Sequence, residues 1–430
     1  MPNNEVFFLG AGFSVRANIP TQGQIWNEML KDTPSFSSPS SLSVPESKKF
    51  LLAYIKVGIF LLDRFTNENI TDIIANNSKA KYLEQLINIL AQSKSDENEI
   101  VLTDLLTHTP EDGYERAFVS NLKDPCSHES LIKVIETHYY TELVKLKESI
   151  RKLLLTSNIN VDLEDVFTIF DKSLREHENW RDITYLELDE LRHALLRLFT
   201  YYFGKWINSY QKSRTTAYSN FVNYCDFNHA SILTTNWDTV LEIAFRKTNK
   251  AFWTNLEDDK TALVKILKLH GSINWFKCNC CGEYQIAEYG KIADYLFDDS
   301  KIEKCEKCDI TAKSSQVLLQ PDIITPTMLK SLDSKLFREI WAQAATELEK
   351  ANKITFIGYS LPQADFEIRY LLRKHIKKQT QIDVVLSKND KPLSTTDVWN
   401  KPEIRYRNLF PGNNIIFYYK GFEDYFKNMK

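Results

Sequence analysis

The segment Ser231-Ile-Leu-Thr-Thr-Asn-Trp-Asp238 constrains this chain more than any other. It opens as a strand, with Ile232 and Leu233 in a short apolar run bounded upstream by Asn228 and His229. It closes on Thr234, Thr235, Asn236 and Asp238. Open α/β sheets hold their ligands outside the carboxyl ends of their strands, where such polar residues stand. Three further segments repeat the pattern. Val6 to Leu9 runs into Gly10-Ala-Gly-Phe-Ser14, Ile266 to Leu269 into His270-Gly-Ser272, and Ile354 to Ile357 into Gly358-Tyr-Ser360. If the four strands share one parallel sheet, their polar tips meet at one edge. That edge would carry an amide, an imidazole, a carboxylate, hydroxyls and backbone amides, a crevice suited to a nucleotide.

Gly10 and Gly12 lack a Cβ and so would let the backbone approach a phosphate closely. The third glycine of the usual dinucleotide fingerprint is missing. Thr21 to Leu30 is expected to be the next helix. Thr33 to Ser47, rich in serine and proline, reads as a mobile loop, either an inert insertion or an active-site lid. From Lys48 to about Phe227 the periodicity is helical. Its apolar stripes include Leu83, Ile87 and Leu90, then Ile135, Leu143 and Leu146, then Leu188, Leu191, Leu195 and Leu198. Such stripes are core in the first instance. Asp162 to Asp165 marks a helix start, its acids facing the positive end of the helix dipole. Histidines 108, 128, 138, 177 and 193 show no ligand spacing and read as surface or satisfied core residues. Later segments supply a strand at 317–324, an amphipathic helix at 334–351 and strands at 382–386 and 415–419. The sheet is then expected to have about six or seven strands.

Seven cysteines in a chain of 430 residues include the pairs Cys278/Cys281 and Cys305/Cys308. Two Cys-x-x-Cys knuckles, the first followed by Gly282, suit a tetrahedral zinc ribbon with no open coordination position, hence a structural Zn2+. Cys280 is a spare thiol that could replace a neighbour. Cys126 and Cys225 read as buried apolar residues. This cysteine usage fits a reducing, cytoplasmic setting and not a disulfide framework. A formal charge of −3 gives no reason to expect a nucleic-acid binder. No run reaches the roughly 18 apolar residues of a membrane helix, and the early strand at Val6 argues against a preceding signal peptide.

Taken in order, Gly10 to Ser14 with Ile19-Pro20, Thr235-Asn-Trp-Asp238, His270-Gly271, the two Cys-x-x-Cys pairs and Gly358-Tyr-Ser360 resemble the sirtuin superfamily. The resemblance implies an α/β fold: a Rossmann-like parallel sheet, a large helical insertion and a small zinc ribbon. The Rossmann-like NAD-binding domain would comprise 1–30, 228–276 and 315–430, with the Ser/Pro loop and helical insertion at 31–227 and the ribbon at 277–314. It implies NAD as substrate. Ala11, Gly12 and Ser14 would hold phosphate and ribose, and Gly358 and Ser360 would contact phosphate. Gly10 and Thr235 complete the cofactor-binding set. Asn236 and Asp238 would line the nicotinamide ribose pocket, with His270 as general base. Ser387 and Asn389 are candidates for the adenine end.

Two departures choose among branches of that superfamily. Where deacylases read Gly-Ile-Pro-Asp-Phe-Arg, this chain reads Asn18-Ile-Pro-Thr-Gln-Gly23. Where they pair a post-ribbon strand with an acyl-lysine peptide, it has Ile324-Thr-Pro-Thr327, and Pro326 has no backbone donor. With Gly358-Tyr-Ser-Leu-Pro362 and Asp365, the chain is most similar to the NAD-cleaving sirtuin-like effectors of bacterial anti-phage defence. That likeness implies NAD depletion, a homo-oligomer and a partner such as a HerA-type ATPase. The expected chemistry is attack of water on the nicotinamide riboside carbon. Asn236 would fix the water and a ribose hydroxyl, His270 would accept a proton from water or a ribose hydroxyl, and Asp238 would orient the pocket or stabilise positive charge. The alternatives are an NAD-dependent deacylase and a non-catalytic module that binds NAD or ADP-ribose. Taken singly, Asn236 is also a plausible strand-end cap and His270 an imidazole at a turn.

Overall fold

The structure, a computed structural model, describes residues 4–31, 44–92, 128–157, 162–211, 216–256, 262–288, 292, 296, 304–305, 308, 310–311, 319–327, 334–363, 365–387 and 401–427. Residues 33–43 of the Ser/Pro stretch, His108, Cys126, Val317 and Asn389 lie outside the described residues.

The strands are β1 (Glu5–Leu9), β2 (Ser231–Thr234), β3 (Lys265–Lys268), β4 (Gly271–Cys278), β5 (Tyr284–Ile286), β6 (Lys304–Cys305), β7 (Ile310–Thr311), β8 (Leu319–Ile323), β9 (Lys353–Ile357), β10 (Gln381–Val385) and β11 (Ile415–Tyr418). Six of them form one all-parallel sheet in the order β11-β10-β9-β1-β2-β3. The four polar-tipped strands are therefore neighbours. β1 to β3 step one way across the sheet and β9 to β11 the other, so the order reverses between β1 and β9. Open sheets bind ligands at such a switch point.

The central strands are buried on both faces, which is why they read as unbroken apolar runs. On one face Val6, Phe8, Leu233, Leu267, Ile354 and Phe356 pack with Ile340, Ala344, Leu348, Ile368 and Tyr406. Those partners come from helices Lys335–Lys350, Phe366–His375 and Pro402–Leu409. On the other face Phe7 meets Phe221, Tyr224 and Phe426, with ring centroids 5.1, 5.9 and 5.8 Å away. These rings sit on helices Thr216–Asn228 and Phe422–Lys427. After β3 the chain leaves this sheet. It enters a three-stranded antiparallel sheet, β5-β4-β8, beside the two-stranded β6-β7.

Met1–Asp32 and Asp162–Lys430 make one compact unit, and Thr33–Val161 a second. The second contains helices Val44–Phe65, Thr71–Gln92 and His128–Thr156. Its core takes the expected stripe residues Leu83, Ile135, Leu143 and Leu146. At Gly58 an added Cβ would come within 2.3 Å of Ile150, so close helix contact needs glycine there. The first unit keeps helices Leu163–Glu176, Tyr185–Gln211 and Thr216–Asn228 with the sheet.

Two local expectations change. The tail of the Ser/Pro stretch is helical from Val44, and Pro45 falls in the first turn, where its missing N–H is not needed. Thr21 to Leu30 begins as the 3-10 turn Gln22–Gln24, with the helix running Ile25–Lys31. The Gln24 side chain accepts from both the amide and the hydroxyl of Thr21. The helix start at Asp162 is as expected: its carboxylate accepts from the Glu164 amide at 2.9 Å.

Candidate functional site

β1, β2, β3 and β9 each continue the ladder just past their ends before the chain turns away. The Gly10 amide donates to Ile357 O at 3.0 Å, Thr235 to Leu9 O at 3.2 Å, Leu269 to Thr234 O at 2.8 Å and Gly358 to Val385 O at 3.2 Å. At the switch point the first loop and the Gly358 turn touch backbone to backbone. The Gly12 amide donates to Gly358 O at 2.9 Å. A Cβ on Gly12 would lie 2.7 Å from the Gly358 Cα, and one on Gly10 2.6 Å from the Tyr359 Cα. Gly358 has φ +61, and a Cβ there would lie 2.4 Å from the Phe13 amide nitrogen. Glycine at 10 and 12 thus meets a packing requirement between two loops. Gly10 is not among the residues that line the cleft described below.

Asn236 stands just beyond β2. Its side-chain amide donates to Gly10 O at 3.0 Å and to Ser14 Oγ at 3.1 Å. A main-chain carbonyl only accepts, so this contact identifies the nitrogen and leaves Oδ1 as the acceptor of the amide. The Ser14 hydroxyl in turn bonds the Asp238 carboxylate, which also accepts from the Val240 amide at 3.0 Å. Behind Asp238, Lys268 at the end of β3 donates to Asp238 O and to Glu242 Oε1, both at 2.6 Å. The Lys268–Glu242 pair is almost wholly buried, at 1% and 4% exposure. Burial raises the pKa of Asp238, and Lys268, Ser14 and the Val240 amide only partly oppose it.

His270 occupies the turn where the chain leaves β3 for β4, and it is buried. Its carbonyl accepts from the Ile324 amide at 3.0 Å. The Trp237 indole donates to Ile324 O at 3.1 Å, and the Ile273 amide to Trp237 O at 3.0 Å. The Asn236 and His270 loops are therefore tied to each other and to the segment that follows β8. That segment, Ile324 to Thr327, is buried throughout. Thr325 donates to Asp171 at 2.8 Å, and Thr168 Oγ1 is 3.3 Å from Thr327 Oγ1, both from helix Leu163–Glu176. Asp171 is paired with Arg192 at 2.7 Å. Helix Leu163–Glu176 thus packs on this segment.

The Gly358 turn is braced from below. The Tyr359 hydroxyl donates to Asp365 at 2.8 Å, and the Tyr406 hydroxyl to Tyr359 O at 2.8 Å. Leu361, wholly buried, holds φ +55, a conformation that costs a non-glycine residue on the order of 1 kcal/mol. Packing and the Tyr359 bonds hold it there.

Between these tips lies a cleft of about 860 Å³. Ala11, Gly12, Ser14, Thr235, Asn236, Asp238, His270, Gly358 and Ser360 all line it, as do Asp365 and Ser387. Of the residues expected at the nucleotide site, the cleft lining omits Gly10, and Asn389 lies outside the described residues. The lining adds Arg16, Glu164, Phe203, Trp237, Lys420, Phe422 and Asp424, to which the sequence reading gave no role at the site. Lys420 and Phe422 follow β11, so the strand-tip rule applied to that strand would have found them. Glu164 is brought in by tertiary packing alone.

The sulfurs of Cys278, Cys281, Cys305 and Cys308 all lie within 4.8 Å of one another. Cys281 Sγ and Cys305 Sγ are 3.8 Å apart, the separation expected of sulfurs placed about 2.3 Å from a tetrahedral zinc. Gly282 takes φ +74 and donates to Cys278 O at 2.9 Å, and the Cys280 amide points at Cys278 Sγ at 3.3 Å. The four thiols thus fit a metal ion. Cys280 itself is exposed and outside the four-sulfur set. β4 runs directly from His270 to Cys278, so the cluster anchors the far end of the strand that the histidine begins. Cys225 is fully buried, as expected.

Residues 230–406 match the SIR2-like domain. A crystal structure of a SIR2 homolog–NAD complex is similar at 15% identity, covering 54% of this chain and 70% of that one, with a TM-score of 0.33. A structure described as the basis for the mechanism and regulation of Sir2 enzymes is similar at 13% identity, covering 62% and 85%, with a TM-score of 0.33. A Sir2 bound to acetylated peptide is similar at 13% identity, covering 50% and 68%, with a TM-score of 0.29. A comparison with curated proteins finds no match. Among the described residues, no helix is long and apolar enough to cross a membrane.

Proposed function

We propose that the protein is an NAD+ glycohydrolase, which cleaves NAD and water to nicotinamide, ADP-ribose and a proton. The observation that carries this reading is the shared cleft. Asn236 and His270, from the tips of adjacent strands, face it together with the glycine loops of β1 and β9. The nicotinamide riboside end would lie at β2 and β3 and the phosphates at the switch point. With Nδ2 committed to Gly10 and Ser14, Asn236 Oδ1 accepts from the attacking water or a ribose hydroxyl. His270 takes the water proton as the bond to nicotinamide breaks. Asp238, backed by Lys268, favours the positive charge that develops on the ribose.

The covered segment Ile324 to Thr327 supports hydrolysis over deacylation, since an acyl-lysine peptide would have to displace Thr325 from Asp171. Zn2+ on the four cysteines is structural in this reading: four thiolates close its coordination and hold β4. The biological setting we propose is cytoplasmic bacterial defence by NAD depletion. The helical unit Thr33–Val161 is then the candidate surface for self-association or for a HerA-type ATPase partner.

The test is to incubate the full chain with NAD, alone and with candidate partners, and to quantify nicotinamide. Asn236→Ala and His270→Ala should each lower release by about 10²- to 10⁴-fold with unchanged circular dichroism. Full activity in either variant overturns the assignment of roles. Release that depends on an acyl-lysine peptide and yields an O-acyl product would establish the deacylase instead.

A further inference from the structure

A dinucleotide brings two phosphate charges into the cleft, yet most charged side chains lining that cleft are acidic. Glu164, Asp238, Asp365 and Asp424 face it, and the cationic lysine and arginine side chains among its lining residues are Arg16 and Lys420. Arg16 lies on the 3-10 turn Val15–Ala17, immediately after the loop that meets Gly358. Lys420 lies just past β11, the outermost strand on the β9 side of the sheet. In this structure the Arg16 guanidinium is paired with Glu423, the second residue of helix Phe422–Lys427.

The two partners of that pair differ in freedom. Glu423 is carried by a fixed element. The rings of Phe422 and Phe13 are 5.0 Å apart, those of Phe426 and Phe221 5.2 Å, and Tyr425 donates to Asp383 at 2.6 Å. Arg16 is half exposed on a short turn. A pair this wet separates at little cost, and a planar guanidinium fork engages phosphate oxygens two at a time.

We propose that Arg16 and Lys420 are the cations that hold the pyrophosphate of the bound dinucleotide, and that Glu423 retains Arg16 until phosphate displaces it. This rests on the dinucleotide reading above and adds its charge-recognition step. The acidic remainder of the lining then disfavours ligands with further phosphate groups, because both cations are already committed. Glu423 is a competitor for Arg16, so removing its charge strengthens binding, whereas a purely structural ion pair would behave in the opposite way.

Titration calorimetry of the full chain with ADP-ribose separates these cases without relying on turnover. Arg16→Ala should weaken binding by about 10- to 100-fold, the size of a lost charge-assisted contact. Lys420→Ala should weaken it less. Glu423→Gln should tighten it by about 2- to 5-fold. Glu423→Gln placed on Arg16→Ala should add no tightening, since nothing remains to be released. Arg16 and Glu423 are both partly exposed, so ligand-free melting should stay at the wild-type temperature. If wild type binds ADP-ribose and Arg16→Ala binds it equally well, or if Glu423→Gln binds it more weakly, this inference fails while the proposed function stands. If wild type binds neither NAD nor ADP-ribose, both fail.

Discussion

The sheet carries buried charge at both of its ends, and the two ends resolve it differently. At the base, Lys353 lies 3.0 Å from Glu5 and 3.2 Å from Asp383. Tyr224 donates to Glu5 at 2.7 Å and Tyr425 to Asp383 at 2.6 Å. Burial works to lower the pKa of Lys353, but the two carboxylates outweigh it and hold the lysine above its ordinary value. At the carboxyl edge the contest goes the other way: burial outweighs Lys268, Ser14 and the Val240 amide, and the pKa of Asp238 rises. The base is a set of partners that answer one another. The edge leaves a carboxylate under-compensated in the wall of a cleft. Buried charge alone therefore does not single out a site; incomplete compensation beside a cavity does.

Breaking the charge set at each end should show the difference. The larger effect is expected at the edge. Lys268→Met leaves the buried Glu242 without its cation, and such a loss costs about 3–5 kcal/mol. It also frees the Asp238 carbonyl, so nicotinamide release should fall even when rates are normalised to folded protein. Urea unfolding and a nicotinamide assay read the two consequences. At the base, Lys353→Met should cost about 1.5–3 kcal/mol, because the lysine is a quarter exposed and both carboxylates keep tyrosine donors. Release per folded molecule should match wild type. A loss of activity at the base equal to that at the edge would remove the distinction.

The same contrast explains what the sequence made legible. The strands β1, β2, β3 and β9 announce themselves because burial on both faces demands continuous apolar runs, and their polar tips stand out where those runs stop. The convergence of Asn236 and His270 follows from strand adjacency. Lys268 does not announce itself: within Ile266-Leu-Lys-Leu269 it reads as an outward strand position, and Glu242 as an ordinary helix acid. Only packing turns them into a buried pair. Thr168, Asp171 and Thr325 are also silent, since roughly 150 residues separate the helix from the segment it covers. Gly10 and Gly12 were visible as glycines but not as the partners of Gly358 and Tyr359, because a missing Cβ does not reveal what occupies its place.

The smallest expected effect tests the contrast most directly, through pH. Asp238 has a folded pKa above its unfolded value. A group shifted in that direction stabilises fully below the unfolded pKa, and the contribution is lost as pH rises through the folded pKa. Asp238→Asn removes that titration while keeping the shape and leaving Lys268 paired to Glu242. The stability of the variant minus that of wild type should therefore grow from about pH 4 upward and then level off once Asp238 is ionised. Lys353 is also shifted upward, but its ordinary value lies near 10.5, so its contribution is intact across that range and should leave the difference curve untouched. Urea unfolding at a series of pH values gives the curve. A difference that shrinks as pH rises would mean that Lys268 and Ser14 over-compensate the carboxylate, and the edge would then be as fully answered as the base.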